Sequence, residues 1–243
     1  MSLAGKKVAV VGGTSGIGMA VAEAAAENGA KVIVVGRDRA RVDAAAERLG
    51  GAALGMVADA RDSVAIANLF KEIGTVDHVA MTVSASASRL GVNRAMAAME
   101  PGAAGEFFSG KFWAQYWTAK AAIGALAPDG SIVFTSGIAA KKVLPNHTII
   151  SANNAAIEAV VKQLAREIAP RRVNAISPGL TNTRAYDHLS DEDRVRFFDR
   201  VTSRLPLERV AEPREIAQAY LFAMTATYLT GTVVEVDGGL LVE

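Results

Sequence analysis

Short β-branched runs alternate along the chain with longer stretches of helical periodicity. The strand-like runs fall at Lys7–Val11, Lys31–Val35, Ala53–Val57, His78–Thr82, Ser131–Thr135, Val173–Ile176 and Val233–Val236. Both sides of each pleat are apolar, as in strands that helices cover on two faces. The first helical stretch stops at Asn28-Gly29 and the second at Gly50, positions that suit a left-handed helix terminus. A long helix is expected from Gly105 to Leu126 and another from Ile150 to Ile168, the latter halted by Pro170. This alternation predicts repeated βαβ units, hence an α/β fold with a doubly wound, seven-stranded parallel sheet between two helical layers. The connections are short and no linker divides the chain, so one domain is expected over 1–243. The exception is a polar, charged stretch from Thr183 to Glu212, with Tyr186, Phe197 and Phe198 among Asp and Arg. Leaving a strand's C-terminal end, it would lie over the ligand crevice as a lid (about 184–212) with apolar undersides. A plain surface excursion is the alternative.

Chemistry enters at Val8–Gly18, where a hydrophobic strand meets a glycine-rich turn and an alanine-rich helix. Backbone N–H groups at such a helix start point at an anion with the helix dipole behind them. Gly12 permits the turn, Gly16 lets the backbone approach a pyrophosphate, and Gly18 allows close packing of helix on strand. A glycine-rich turn with no ligand is the plainer reading.

Composition narrows the partners. A formal net charge of +1, with no basic stripe, disfavours nucleic acid. There are no cysteines, so disulfides and thiolate chemistry are excluded. No apolar run approaches the roughly 18 residues of a membrane helix. The first residues run into a strand without a signal-peptide pattern, and a cytoplasmic location without membrane attachment is expected. The three histidines lack metal-ligand spacing, so no metal site is expected.

With these landmarks the chain resembles the short-chain dehydrogenase/reductase family over nearly its whole length. The likeness is carried by Gly12-Gly13-Thr14-Ser15-Gly16-Ile17-Gly18, Ala58-Asp59-Ala60, Arg172-Val173-Asn174-Ala175-Ile176-Ser177-Pro178-Gly179, and Tyr228-Leu229-Thr230-Gly231 leading to Val236-Asp237-Gly238-Gly239. It implies a Rossmann-like fold that binds NAD(H) or NADP(H) across the C-terminal strand ends. The implied cofactor contacts are Gly12, Thr14, Ser15, Gly16, Ile17 and Gly18 at the pyrophosphate and ribose, with Asp59 and Ala60 at the adenine. Val83 and Ser84 would follow the fourth strand, and Pro178, Gly179, Thr181 and Thr183 would grip the carboxamide and nearby phosphates. A capping role is the alternative for Asp59. The second strand ends at Gly36 with no carboxylate for the ribose hydroxyls, and Arg37, Arg39 and Arg41 follow. A guanidinium pairs with a 2′-phosphate, so NADP(H) is favoured over NAD(H), with Arg37 first in line. Arg37 could also be a solvated loop charge, and Asp38 a helix cap.

The family's Asn-Ser-Tyr-Lys constellation is where the likeness fails. Counting from Gln163–Glu167, the tyrosine position falls on Ile150, the lysine on Asn154 and the serine on Gly137. Counting from Lys120, the asparagine position falls on Lys111, and Met81-Thr82-Val83-Ser84 replaces the usual Asn-Asn-Ala-Gly. A hydrocarbon at 150 transfers no proton, which costs about 10²–10⁴-fold rather than the whole reaction. Lysine and asparagine look exchanged, and Lys111 is expected to reach across beside Asn154 near the nicotinamide ribose. His147 is the candidate substitute donor, or merely an exposed loop residue, with Ser84, Ser151, Tyr186 and His188 further possibilities and Ser136 read as structural.

The expected activity is an NADP(H)-dependent oxidoreductase on a small carbonyl, imine or activated alkene by a non-standard proton route. The alternatives are a non-catalytic NADP(H)-binding sensor or partner subunit, and a non-redox lyase or isomerase. The aromatic set Phe107, Phe108, Phe112, Trp113, Tyr116 and Trp117 reads as core and subunit contact. Through the 105–126 and 150–168 helices the chain would form a homodimer or homotetramer.

Overall fold

The computed structural model describes residues 2–187, 189–203 and 205–243. Seven strands form one parallel sheet: β1 (Lys7–Val11), β2 (Lys31–Gly36), β3 (Ala53–Val57), β4 (Val76–Met81), β5 (Leu126–Thr135), β6 (Arg172–Pro178) and β7 (Val233–Val236). Their spatial order is β3-β2-β1-β4-β5-β6-β7, every pairing parallel. The order reverses between β1 and β4, which opens the crevice at their C-terminal ends where doubly wound sheets bind ligands.

Alternation along β1 shows how the strands serve two cores. Ala9 and Val11 join α3 (Ser63–Ile73), α6 (Ala114–Ala122) and α7 (Thr148–Glu167) on one face. Val8 and Val10 join α1 (Gly16–Glu27) and α9 (Pro213–Thr225) on the other. All four β1 residues are essentially inaccessible, which explains a strand apolar on both sides. α2 (Arg39–Leu49) starts at Asp38, whose carboxylate accepts from the Arg41 N–H at 3.0 Å, so Asp38 is a cap. No helix among the described residues is long and apolar enough to cross a membrane.

Several boundaries differ from expectation. The long helix begins at Pro101, a favoured first-turn proline, and ends at Ala122 rather than Leu126. It follows the short α4 (Ala87–Leu90) and comprises α5 (Pro101–Phe108), a π turn over Ser109–Trp113, and α6. Leu126 instead opens β5, opposite Val76, so both central strands start earlier than their β-branched runs, and β4 closes at Met81 rather than Thr82. The lid stretch contains α8 (Asp191–Thr202), none of whose residues is buried. Tyr186, Phe197 and Phe198 pack on one another with centroids 5.1–5.8 Å apart, so the expected apolar undersides are satisfied largely within the segment. On the long helix, Phe112, Trp113, Tyr116 and Trp117 form a contiguous aromatic row in which i,i+4 neighbours stack and i,i+1 neighbours meet edge-on, with Trp113 42% and Tyr116 38% exposed.

The family-like motif in β6 is built for support. Asn174 donates its amide to the Leu229 carbonyl (2.9 Å) and accepts from the Thr232 N–H (3.2 Å), tying β6 to the Tyr228–Gly231 loop. Arg172 donates to the carbonyls of Ala223 and Ala226 (2.7 and 3.0 Å), closing the C-terminal end of α9.

At the opposite end of the sheet from the crevice, His78 is 5% exposed and its Nδ1 lies 2.8 Å from Ser131 Oγ. Burial, reinforced by the Arg172 charge, pushes its pKa down from 6.5 to about 4. The neutral ring is favoured in the fold, so its contribution is complete above pH 6.5 and drains away as the pH falls towards 4. The loss amounts to about 3 kcal/mol. Urea unfolding at a series of pH values should show this slope, and His78→Asn should flatten it between pH 6.5 and 4; an equal slope in both proteins contradicts the assignment.

Candidate active site

The glycine turn sits at the top of β1. Gly12 N–H donates to the Val35 carbonyl (2.9 Å), and Thr82 N–H donates to the Val11 carbonyl (2.8 Å), so β2 and β4 clamp the turn from both sides. Gly12 has φ +91°, and a Cβ there would lie 2.8 Å from Val83 N. A Cβ on Gly18 would lie 2.2 Å from the Gly12 carbonyl oxygen and 2.4 Å from Thr82 Oγ1. Neither position admits a side chain. Gly16, at φ +53°, faces Thr183 across the crevice, with an added Cβ 3.4 Å from that threonine. Ser15 is the residue before α1, but its side chain makes no capping bond and the first turn carries no acidic residue. The helix start therefore presents N–H groups with no side-chain acceptor, in a cradle that fits a pyrophosphate.

Around this cradle lie the other expected cofactor residues. Arg37 is exposed after β2, and Asp59 and Ala60 follow β3, Ala60 being buried. Asp59 does not cap α3; Asp62 does, accepting from the N–H groups of Val64 and Ala65. The Asp59 carboxylate is engaged by Arg61 Nε and Nη2 at 3.1 and 2.6 Å. That hydrogen bond above all, with smaller help from the Arg37 charge, holds the Asp59 carboxyl below its ordinary range. An adenine amino group would have to share this carboxylate with Arg61. Val83 is half-buried beyond β4, and Ser84 is exposed, its hydroxyl turned to the Ala85 carbonyl. Gly179 is pressed against β7, an added Cβ falling 2.7 Å from Asp237 Cα, which places Pro178 and Gly179 at the crevice lip. Thr181 is buried and bridges to Ala211.

Of the residues at the expected catalytic positions, Lys111 and Asn154 meet in one buried cluster beside Gly137, and Ile150 is not among its hydrogen-bonded members. Lys111 lies in the π turn, a local widening common at functional sites. Its side chain crosses to α7, where Nζ donates to Asn154 Oδ1 (2.6 Å) and to the Ser136 carbonyl (2.9 Å). Asn154 Nδ2 in turn donates to the Gly137 carbonyl (3.3 Å), so both side chains hold the turn that ends β5. A Cβ at Gly137 would sit 2.9 Å from Asn154 Nδ2, so any side chain there has to displace the amide. Burial without a carboxylate partner pushes the Lys111 ammonium down to about 8. Lys111 and Asn154 are thus brought together, with the ammonium directed beneath the strand end and enclosed by protein.

The expected proton donors are scattered. His147 precedes α7, its Nδ1–H donating to the Pro145 carbonyl (2.6 Å). Ile150 and Ser151 are half-buried on the first turns of α7. Tyr186 packs against Phe197 and Phe198, and burial pushes its phenol up to about 12. His188 lies outside the described residues. Ser136 is buried, and its hydroxyl turns towards α7 and donates to Glu158 Oε1 (2.8 Å), which ties the end of β5 to that helix. The side chains of Asn153 and Ser177 are buried with no hydrogen-bond partner among the described residues. Glu158 and Asn153 escaped the sequence reading because none of the quoted motifs includes them, and Ser177 lies in the β6 motif but received no role; only the helical spacing of Glu158 from Asn154 hinted at a shared face.

Comparison with known proteins agrees with this geometry. The enoyl-(acyl carrier protein) reductase family model matches residues 11–241. The chain is 32% identical to a galactitol 2-dehydrogenase (L-tagatose-forming) of Cereibacter sphaeroides, over 99% of this chain and 96% of the relative. It is 30% identical to carbonyl reductase family member 4 of Danio rerio, over 95% and 96%. Among solved structures, a small-chain dehydrogenase in complex with NADPH superposes with a TM-score of 0.79 at 36% identity, covering 98% of this chain and 99% of the other. Sheet order, glycine cradle and full-length similarity together make the chain a member of the short-chain dehydrogenase/reductase family of oxidoreductases.

Proposed function

We propose that the protein is an NADP(H)-dependent oxidoreductase that reduces a small imine, activated alkene or carbonyl without a tyrosine acid. The observation that carries this reading is the Lys111–Asn154 contact beneath Gly137, beside a glycine turn that admits no Cβ. A nicotinamide nucleotide, when bound, would supply the hydride chemistry. The N–H groups at Gly16–Gly18 would hold its pyrophosphate, Asp59 and Ala60 its adenine, and Val83, Ser84, Pro178, Gly179, Thr181 and Thr183 the remainder. A relative solved with NADPH supports this choice of ligand, as does the lack of a carboxylate at Gly36.

Lys111 is a positioning residue in this scheme. Its enclosed ammonium braces the end of β5 through Asn154 and the Ser136 carbonyl, and sets a positive potential under the substrate side of the crevice. Ile150 holds no proton, so a carbonyl reduced here leaves an alkoxide with no phenol to quench it. Imines and activated alkenes suit the residue set better: an imine can arrive already protonated, so that hydride addition gives a neutral amine, and an activated alkene gives a delocalised enolate whose carbon takes its proton from water. The lid over 184–212 would close on the substrate, and the exposed Trp113 and Tyr116 row would pack against the 148–167 helix of a second copy.

Purified protein with NADPH should turn over an imine or an activated alkene faster than the matching ketone, read by nicotinamide absorbance, and should sediment as a dimer or tetramer. Tight NADPH binding with no turnover on any of the three classes would replace this reading with the sensor or partner-subunit alternative. No binding of NADPH or NADH at millimolar concentration would defeat it altogether.

A further inference from the structure

The 184–212 segment has a single deep hold on the rest of the molecule. Among its described residues Leu205 alone is fully buried, at 3% exposure. Its three aromatic rings pack on one another, and no residue of α8 is buried. Backbone bonds close its neck: Asn182 N–H donates to the Ala211 carbonyl (2.8 Å), and Ala211 N–H to the Leu180 carbonyl (3.0 Å). Between those ends, one apolar side chain anchors the loop.

Leu205 enters a socket built from two distant stretches. It clusters with Ile138, in the turn after β5, and with Leu240, beyond β7, apart from the two cores that cover the sheet. The stretch beyond β7 is shaped locally. Gly238 and Gly239 have φ +66° and +89°, and the Asp237 carboxylate accepts from the N–H groups of Gly239 (3.0 Å) and Leu241 (2.8 Å). This turn docks on the residues that follow Leu205. Leu207 N–H donates to the Gly238 carbonyl (3.2 Å), and a Cβ on Gly239 would lie 2.5 Å from Pro206 Cγ. The turn after β5 is tied to the same stretch, because Lys142 Nζ donates to the Glu243 carbonyl (2.8 Å). Ile138 itself follows Gly137, whose carbonyl accepts from Asn154, so the socket stands beside the turn that the Lys111 cluster braces.

We propose that Leu240 is a positioning residue for the substrate: with Ile138 it holds Leu205, and through that hold it sets how firmly the 184–212 segment covers the crevice. This rests on the reading of that segment as a cover for the substrate. A segment with one buried apolar anchor opens locally, at a free energy set by that contact rather than by the stability of the whole sheet. Trimming the anchor raises the open population and leaves the sheet folded.

Limited trypsin digestion and steady-state kinetics test it together. Leu240→Ala should raise nicking at the exposed Arg184, Arg196 and Arg200 about tenfold while the rest of the chain stays resistant, because cleavage follows the open population. Leu240→Val, a smaller truncation, should fall between, and Leu240→Met, which keeps the volume, should match wild type. Leu205→Ala should give the same fragments, and adding it to Leu240→Ala should change little, since both remove one contact. With an imine and NADPH, Leu240→Ala should raise the KM of the imine about tenfold and leave NADPH binding within about twofold. Unchanged nicking in Leu240→Ala, or nicking spread over the whole chain, would overturn the anchor and leave the oxidoreductase reading intact. Confined nicking with an unchanged KM would overturn the positioning role. A wild-type protein that turns over none of the three substrate classes would bring down the underlying reading, while the anchor would still register in the digestion.

Discussion

Replacing Lys111 by methionine should lower NADPH-dependent turnover by about 10²-fold while the melting temperature stays within a few degrees of wild type. The two effects part company for an energetic reason. Removing the ammonium leaves the Ser136 carbonyl and Asn154 Oδ1 without their donor, a cost of about 1–3 kcal/mol. The same change removes a charge that burial already disfavours, as its fall to about 8 records. The folded-state pKa lies below the unfolded value of 10.5, so wild type carries the full desolvation cost below pH 8 and sheds it as the pH rises towards 10.5. At neutral pH the two terms offset, and stability changes little. Geometry has no such compensation: with the brace gone, the end of β5 shifts, and about 1 Å at a reacting centre costs about 10²-fold. The pH profile separates this role from a structural one. Turnover that depends on the ammonium should fall as the pH passes about 8. That limb should vanish in Lys111→Met and move to higher pH in Lys111→Arg. Wild-type turnover in Lys111→Met would refute the role.

Gly18→Ala should abolish measurable NADPH binding, with a loss of at least about 10²-fold, and destabilise the fold by about 1–3 kcal/mol. The added methyl would meet the Gly12 carbonyl oxygen at 2.2 Å and Thr82 Oγ1 at 2.4 Å, and the carbonyl belongs to the turn itself. Relief of that clash requires the helix start to retreat from β1, carrying its N–H groups away from the anion. Two lost hydrogen bonds to a charged phosphate, at about 1.5–3 kcal/mol each, account for the expected drop. Gly102→Ala is the control, because a Cβ at Gly102 meets nothing within 4 Å; its binding should equal that of wild type. Tight NADPH binding by Gly18→Ala would show that the cradle is not where the phosphates sit.

Much of this was readable without coordinates, because the signals are local. Strand runs apolar on both faces require cover on both sides. A glycine pattern between strand and helix has one low-energy geometry, so β1, the turn and α1 follow from residues within a dozen positions of one another. The boundary errors arose where pairing overrode composition: Leu126 and Ala127 look helical beside an alanine-rich run, yet β5 begins there because Val76 lies opposite. The stretch from Thr183 to Glu212 was visible as a polar excursion, but which surfaces its aromatics would cover was not, since three rings close in sequence can satisfy each other.

The chain's own order of residues settled the α/β class, the seven strands and the glycine turn between β1 and α1, since each depends on periodicity or on a residue's intrinsic conformational freedom. Tertiary structure alone decided how Lys111 spends its ammonium, that Ser136 turns to Glu158, and that Leu205 packs with Leu240. Those facts depend on contacts between residues 22 to 43 positions apart, as for Ser136–Glu158 and Lys111–Asn154. Only packing two helices and a strand end together determines which acceptor a long, flexible cation meets first.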